Sequence, residues 1–230
     1  MKISAIIPAF NEGENIGPLV TYIHQHGKDS ISEVIVVDGQ SDDQTVSVAQ
    51  HSGAMVFISP VRSRAAQMNL GASHATGDIL YFVHADVKPI ESFASDIHDA
   101  IQSGYPSGCY RYRFDSSSRL LKANAYFTRF RGIMCRGGDQ TLFIEKKLFH
   151  SLQGFDESFV IMEDYDFIQR IRKRNRFIII PKYITVSARK YKSNSWLRVQ
   201  VANLVVFILY FLRLPSKKLA TLYKRMLNYG

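Results

Sequence analysis

His84-Ala85-Asp86 closes an apolar run, residues 79–83, and sets an imidazole and a carboxylate at the tip of what reads as a buried strand. That pair suits metal ligation, a general-base dyad, or only the solvation of a strand end. Other acids occupy comparable places. Asp38 directly follows the strand pattern 33–37, where a carboxylate can accept a hydrogen bond from a ligand. Asp43 closes the same polar turn just ahead of a helical pattern and also suits a helix cap. Glu163 and Asp164 open another helical pattern, where the helix dipole favours negative charge whether or not the acids do chemistry. Asp139 follows Gly137-Gly138, a place where backbone and carboxylate can approach a substrate closely.

Positioning these residues needs strands whose carboxyl ends converge. In the first hundred residues the strand patterns 3–7, 33–37, 55–58 and 79–83 alternate with the helical patterns 14–26, 44–51 and 62–74. Continuous apolar strands with helical crossovers predict a parallel sheet covered on both faces, with ligands beyond the strands' carboxyl ends. Asp38, Asp43, His84 and Asp86 all fall at such ends. The second half is less regular, with strands at 108–114, 141–144 and 177–180 and helices near 118–130 and 163–173.

The chain of 230 residues suits one main domain, 1–190, followed by a basic amphipathic helical tail, 191–230. Cys109 and Cys135 form neither a disulfide framework nor a zinc motif and fit a reducing compartment. No signal-peptide pattern follows Met1, so the expected location is cytoplasmic. The net charge of +9 is unevenly spread: residues 1–100 carry 5 Lys/Arg against 12 Asp/Glu, whereas residues 167–230 carry 15 Lys/Arg and no acid. No nucleic-acid module accompanies the basic tail, so that partner class is set aside. Between Arg198 and Arg213 lie 14 uncharged residues. As a helix they span roughly 21 Å, short of the ~30 Å hydrocarbon layer. The readings left are an interfacial or re-entrant helix in peripheral contact with the anionic inner face of the cell membrane, or a helix buried in a homo-oligomer.

Five stretches together resemble the family 2 glycosyltransferases of the GT-A fold: IIPAFNE (6–12), VIVVDGQSDDQT (34–45), RAAQMNLGASHATGDILYFVHADV (64–87), GGDQTLFI (137–144) and LQGFDESFVIMEDYDFIQRIRK (152–173). The His-Ala-Asp variant and Gly-Asp-Gln are most similar to a small bacterial branch. The resemblance implies an α/β, Rossmann-like, mostly parallel sheet flanked by helices. It also implies an inverting transfer of sugar from a nucleoside diphosphate donor, a UDP- or GDP-sugar, to an acceptor hydroxyl of unknown identity.

The resemblance further implies residue roles. Pro8, Phe10, Asn11 and Glu12 follow the first strand and would hold the base, with Asp38 on a base N–H or ribose hydroxyl and Arg64 on a phosphate or the nucleoside. The family usually carries Asp-x-Asp where His84 and Asp86 stand; the first acid meets the ribose and the second binds Mg²⁺ or Mn²⁺ on the diphosphate. His84 then either contacts the ribose or joins the metal, and imidazole suits Mn²⁺ better than Mg²⁺. Asp164 would be the catalytic base, with Glu163 beside it and Asp166 turned elsewhere. Asp139 would touch sugar or acceptor, and Arg189 would face the diphosphate. The rival readings are transfer to a polyprenyl phosphate at the membrane and a nucleotide-sugar-binding protein with weakened catalysis.

Overall fold

The computed structural model describes residues 1–135 and 140–228. Its sheet is built on β1 (Ile3–Ala9), β2 (Ile31–Asp38), β3 (Met55–Ile58) and β4 (Ile79–Phe82), all parallel. It continues through β6 (Ser107–Phe114), β7 (Leu142–Glu145), β8 (Phe177–Val186) and the two-residue β5 (Val87–Lys88), in the order β3-β2-β1-β4-β7-β6-β8-β5. β7 runs antiparallel to both β4 and β6, so β6 and its parallel neighbour β8 share the direction of β4. The carboxyl ends of β1, β2, β4, β6 and β8 therefore lie along one rim.

Alternation of side chains fills both faces. Ile7, Val36 and Tyr81 pack with Ile16, Val20 and Ile23 of α1 (Gly13–Gly27) and with Phe93 and Ile97 of α4 (Phe93–Gln102). Ile6, Val37, Leu80 and Phe82 point the other way. They meet Ala65, Met68 and Ala72 of α3 (Arg64–His74), Phe149 of α6 (Lys146–Ser151) and Phe167 of α7 (Glu163–Arg174). Pro8 lies beyond Ile6–Phe82, the last β1–β4 pair, so its missing N–H interrupts no bond on that side.

The predicted alternation of the first hundred residues is present, with α2 at Thr45–His51. The helix expected near 118–130 is α5, Arg119–Phe127, and the strand expected at 177–180 continues to Val186. α4 and α6 occupy stretches to which the sequence reading gives no element. After the short α8 (Lys190–Ser193) the tail forms α9 (Trp196–Phe211) and α10 (Ser216–Met226), separated by a turn at Arg213 (φ 60°). Tyr165 of α7 meets Phe207 of α9, with ring centres 6.0 Å apart. Among the described residues no helix is long and apolar enough to cross a membrane.

α3 sits close to the sheet because Gly71 faces it. A Cβ there would lie 2.5 Å from Ile6 Cγ2 and 3.1 Å from Val37 Cγ2. Gly71→Val is therefore expected to lower the unfolding free energy by about 1–3 kcal/mol through overpacking. Urea denaturation checks this; an unchanged midpoint would contradict such close packing.

Candidate functional site

The rim is organised by loops that follow β1, β2 and β4. Gln67, buried on α3, donates from Nε2 to Ala9 O and Val37 O, each at 2.8 Å, and so ties the last turns of β1 and β2 together. Beyond β1, Asn11 takes a left-handed backbone (φ 53°), its N–H donates to Ser41 Oγ at 2.8 Å, and its Oδ1 accepts from Asp42 N at 2.9 Å. Phe10 is partly exposed and lies under Arg62, whose guanidinium carbon stands 3.9 Å from the ring centre. Arg62 is fixed in turn by donating to Gly39 O and Gln40 O, at 3.2 and 3.1 Å.

The charged groups fall into three sets. Glu12 is buried and receives both terminal nitrogens of Arg189, one at 2.9 Å, while Asn15 Nδ2 donates to the same carboxylate at 2.7 Å. Arg189 Nη2 also lies 3.4 Å from Asp86 Oδ2, so one guanidinium joins the loops after β1 and β4 to the segment after β8. Arg189's pKa is raised, first by its hydrogen bond to Glu12 and, against burial, by the charge of Asp86. In the second set Arg64 Nε lies 3.0 Å from Oε1 of Glu163, a side chain only 1% exposed. In the third, His84 and the buried Asp164 line one small cavity with Met68, Phe82, Thr141, Leu142 and Ile168.

Two non-glycine residues beside that cavity have left-handed backbones, Thr141 (φ 58°) and Met162 (φ 71°). For β-branched Thr141 this is strained, and such strain gathers at functional sites. Met162 directly precedes Glu163-Asp164 and sets the entry of α7.

The structure places the other sequence-predicted residues as follows. Asp38 is 1% exposed and spends its carboxylate on Ser41, accepting from Ser41 N at 2.9 Å and from the Ser41 hydroxyl. Pro8 is buried inside β1, and the loop begins after it. Asp166 pairs with Arg170 at 2.7 Å, one helical turn on. Asp139 lies outside the described residues. Arg62 and Gln67 were missed by sequence reasoning: nothing local marks a cation stacked on Phe10 or an amide bridging two strands. Among the described residues no group of three His, Cys, Asp or Glu side chains is arranged to hold a metal. A separate cleft of about 280 Å³, lined by Tyr105, Arg131, Arg172 and Arg176 among others, lies by the amino ends of β6 and β8, at the opposite pole.

Strand-end acids, a buried carboxylate opening α7 and a left-handed entry to that helix together make up the candidate site. Residues 4–162 match the family described as Glycosyl transferase family 2. The chain belongs to that family. The dolichol-phosphate mannosyltransferase of Pyrococcus furiosus is 30% identical over 110 residues, covering 45% of this chain and 31% of that protein. The chain spans about a third of the length of the curated relatives it matches.

Two solved structures have a similar fold. The mannosyltransferase PcManGT from Pyrobaculum calidifontis, in complex with GDP-Man and Mn²⁺, superposes with a TM-score of 0.69 at 18% identity, covering 98% of this chain and 69% of that one. The glucosyl-3-phosphoglycerate synthase of Mycobacterium tuberculosis, in complex with Mn²⁺, uridine diphosphate and phosphoglyceric acid, gives 0.64 at 21% identity, covering 89% and 77%. The mixed, mostly parallel sheet flanked by helices is the GT-A arrangement that the sequence led us to expect.

Asp43 provides a test of the loop network in this family 2 chain. Its carboxyl is held below the ordinary value of 3.8 by the Thr45 hydroxyl, against some desolvation, with help from the Gly13 and Thr45 N–H groups. A lowered folded-state pKa gives stability that is complete above the unfolded value and is lost as pH falls through the folded one. The melting-temperature gap between wild type and Asp43→Asn is thus expected to be open near neutrality and to narrow below pH 3.8. A gap independent of pH would remove Asp43 from this role.

Proposed function

We propose that this chain transfers a sugar from a nucleoside diphosphate donor, a UDP- or GDP-sugar, to an acceptor hydroxyl with inversion. The observation that carries the reading is the meeting of Asp164 and His84 at one cavity on the carboxyl rim of the sheet, beside the Glu12–Arg189–Asp86 cluster. GDP-Man in one of the two similar structures and uridine diphosphate, the nucleotide part of a UDP-sugar, in the other support the donor class.

The donor set fits a divalent cation that arrives with the donor better than a resident one. Asp86 offers a carboxylate and His84 an imidazole; diphosphate oxygens and water would complete a shell of the kind Mg²⁺ and Mn²⁺ prefer. Such an ion supplies Lewis-acid stabilisation of the departing diphosphate. The remaining work belongs to side chains. Arg189, already raised in pKa and set between two carboxylates, would add positive charge beside the leaving group. Phe10 and Arg62 offer a flat, cationic platform for the base, next to the loop of Asn11. Asp164 would take the proton of the attacking hydroxyl, while Glu163, neutralised by Arg64, holds the start of α7.

Two substitutions test this. Asp86→Ala is expected to abolish the Mn²⁺-dependent part of donor affinity in calorimetric titration with GDP-mannose and UDP-glucose, and His84→Asp to preserve it. Metal-dependent affinity unchanged in Asp86→Ala would exclude that carboxylate from the cation site. Asp164→Asn is expected to slow transfer about 10²–10⁴-fold with donor affinity near wild type, since asparagine keeps the shape and loses the basicity. Equal slowing by Glu163→Gln would mean that the two acids act together through positioning, and normal turnover in Asp164→Asn would put the base elsewhere.

A further inference from the structure

α9 buries one face and leaves another bare. Val199, Ala202 and Val206 are buried, the first two packed with Leu227 and Tyr223 of the α10 region. On the opposite side Leu197, Val201, Leu204, Ile208 and Phe211 recur at spacings of four and three, and each is 45–64% exposed. That is one continuous apolar stripe along a helix of 16 residues. Arg198 flanks its beginning; Arg213, Lys217 and Lys218 follow its end, all exposed.

A second stretch, distant in sequence, has the same character. In and after α5, Leu120, Tyr126, Phe127, Phe130 and Met134 are all about half exposed or more. Residues 116–135 hold Arg119, Lys122, Arg129 and Arg131 and no acid. Trp196 Nε1 donates to Asn124 Oδ1 at 3.3 Å, so the start of α9 sits against α5. Scattered exposed apolar residues are ordinary; two neighbouring runs of them are not.

We propose that the α5–α9 surface docks this chain onto an anionic lipid bilayer, with the stripe of α9 lying in the headgroup–acyl boundary. Charge complementarity selects this occupant. A second copy of the chain pairing through the same face would bring cations against cations, because residues 167–230 contain no Asp or Glu to neutralise them. Anionic headgroups supply what the surface lacks, and an apolar stripe flanked by Lys and Arg is how a helix binds in the interfacial plane. The docking face is also braced to the candidate site. Ser216 Oγ accepts from Val160 N and Ile161 N, at 2.7 and 3.1 Å, just before α7 and Asp164. The proposal does not rest on the transfer reading, and its test uses no donor.

The test is co-sedimentation of the full chain with vesicles of phosphatidylcholine alone and with about a third phosphatidylglycerol. The wild type is expected to pellet with the anionic vesicles and to be released by salt. Leu204→Glu/Ile208→Glu, at exposed positions, is expected to weaken binding at least about tenfold at an unchanged melting temperature. Lys217→Glu/Lys218→Glu is expected to reduce binding to anionic vesicles specifically and keeps the test valid should the first variant fold poorly. Absence of pelleting, equal binding to both vesicle types, or binding indifferent to both variants would overturn the proposal. So would a wild-type dimer in light scattering that Leu204→Glu/Ile208→Glu makes monomeric without any vesicle binding, which would assign the stripe to a second copy.

Discussion

The candidate site depends on one guanidinium. Loops after β1 and β4 each bring a carboxylate to the same rim, Glu12 nearly out of water and Asp86 less so, and like charges so placed repel. Arg189, delivered by the end of β8, reaches both. Its planar fork meets Glu12 through two nitrogens and leaves one edge toward Asp86, geometry that a lysine does not reproduce. Removing one member of a buried pair typically costs about 3–5 kcal/mol, because the other charge is left unpaired. Half-exposed Arg189 places this cluster below that range. The consequence is structural as well as electrostatic: β8, at the far side of the sheet from β2, is locked to the rim where β1 and β4 end.

From that lock the proposed chemistry follows by charge. A rim holding Glu12, Asp86 and Asp164 repels a diphosphate unless positive charge accompanies it. Arg189 supplies some of that charge, and a divalent ion carried by the donor would supply the rest. Arg64, which opens α3, acts similarly at the start of α7, neutralising the nearly inaccessible Glu163 and leaving Asp164 as the acid that faces the cavity. In the proposed transfer, adjacent acids with different surroundings would thereby do different work.

Much of this was legible in residue order. Strand and helix periods in the first hundred residues differ plainly, and the acids fall where apolar runs stop, so the sheet half and its rim could be drawn from periodicity. Strand direction is less legible. The short apolar run of β7 reads the same whether it pairs parallel or antiparallel, and only the complete order shows that it reverses. Asp38 shows another limit: its position after β2 suits a ligand, and the sequence gives no sign that the Ser41 hydroxyl and N–H three residues on also donate to it. The pairs Arg189–Glu12 and Arg64–Glu163 join residues far apart in the chain, and Arg62 on Phe10 has no local signal at all. The apolar run after Trp196 was visible as composition; which of its sides is bare was not, because that depends on α7 and α10.

In the proposed transfer, donor and cation meet at the rim held by Arg189. A crystal of the chain grown with Mn²⁺ and a nucleoside diphosphate tests it most directly, through the anomalous signal of manganese. The manganese peak is expected beside the Asp86 carboxylate, with the diphosphate against Arg189 and the base by Phe10. Manganese and nucleotide bound elsewhere, for instance in the arginine cleft at the opposite pole, would contradict it.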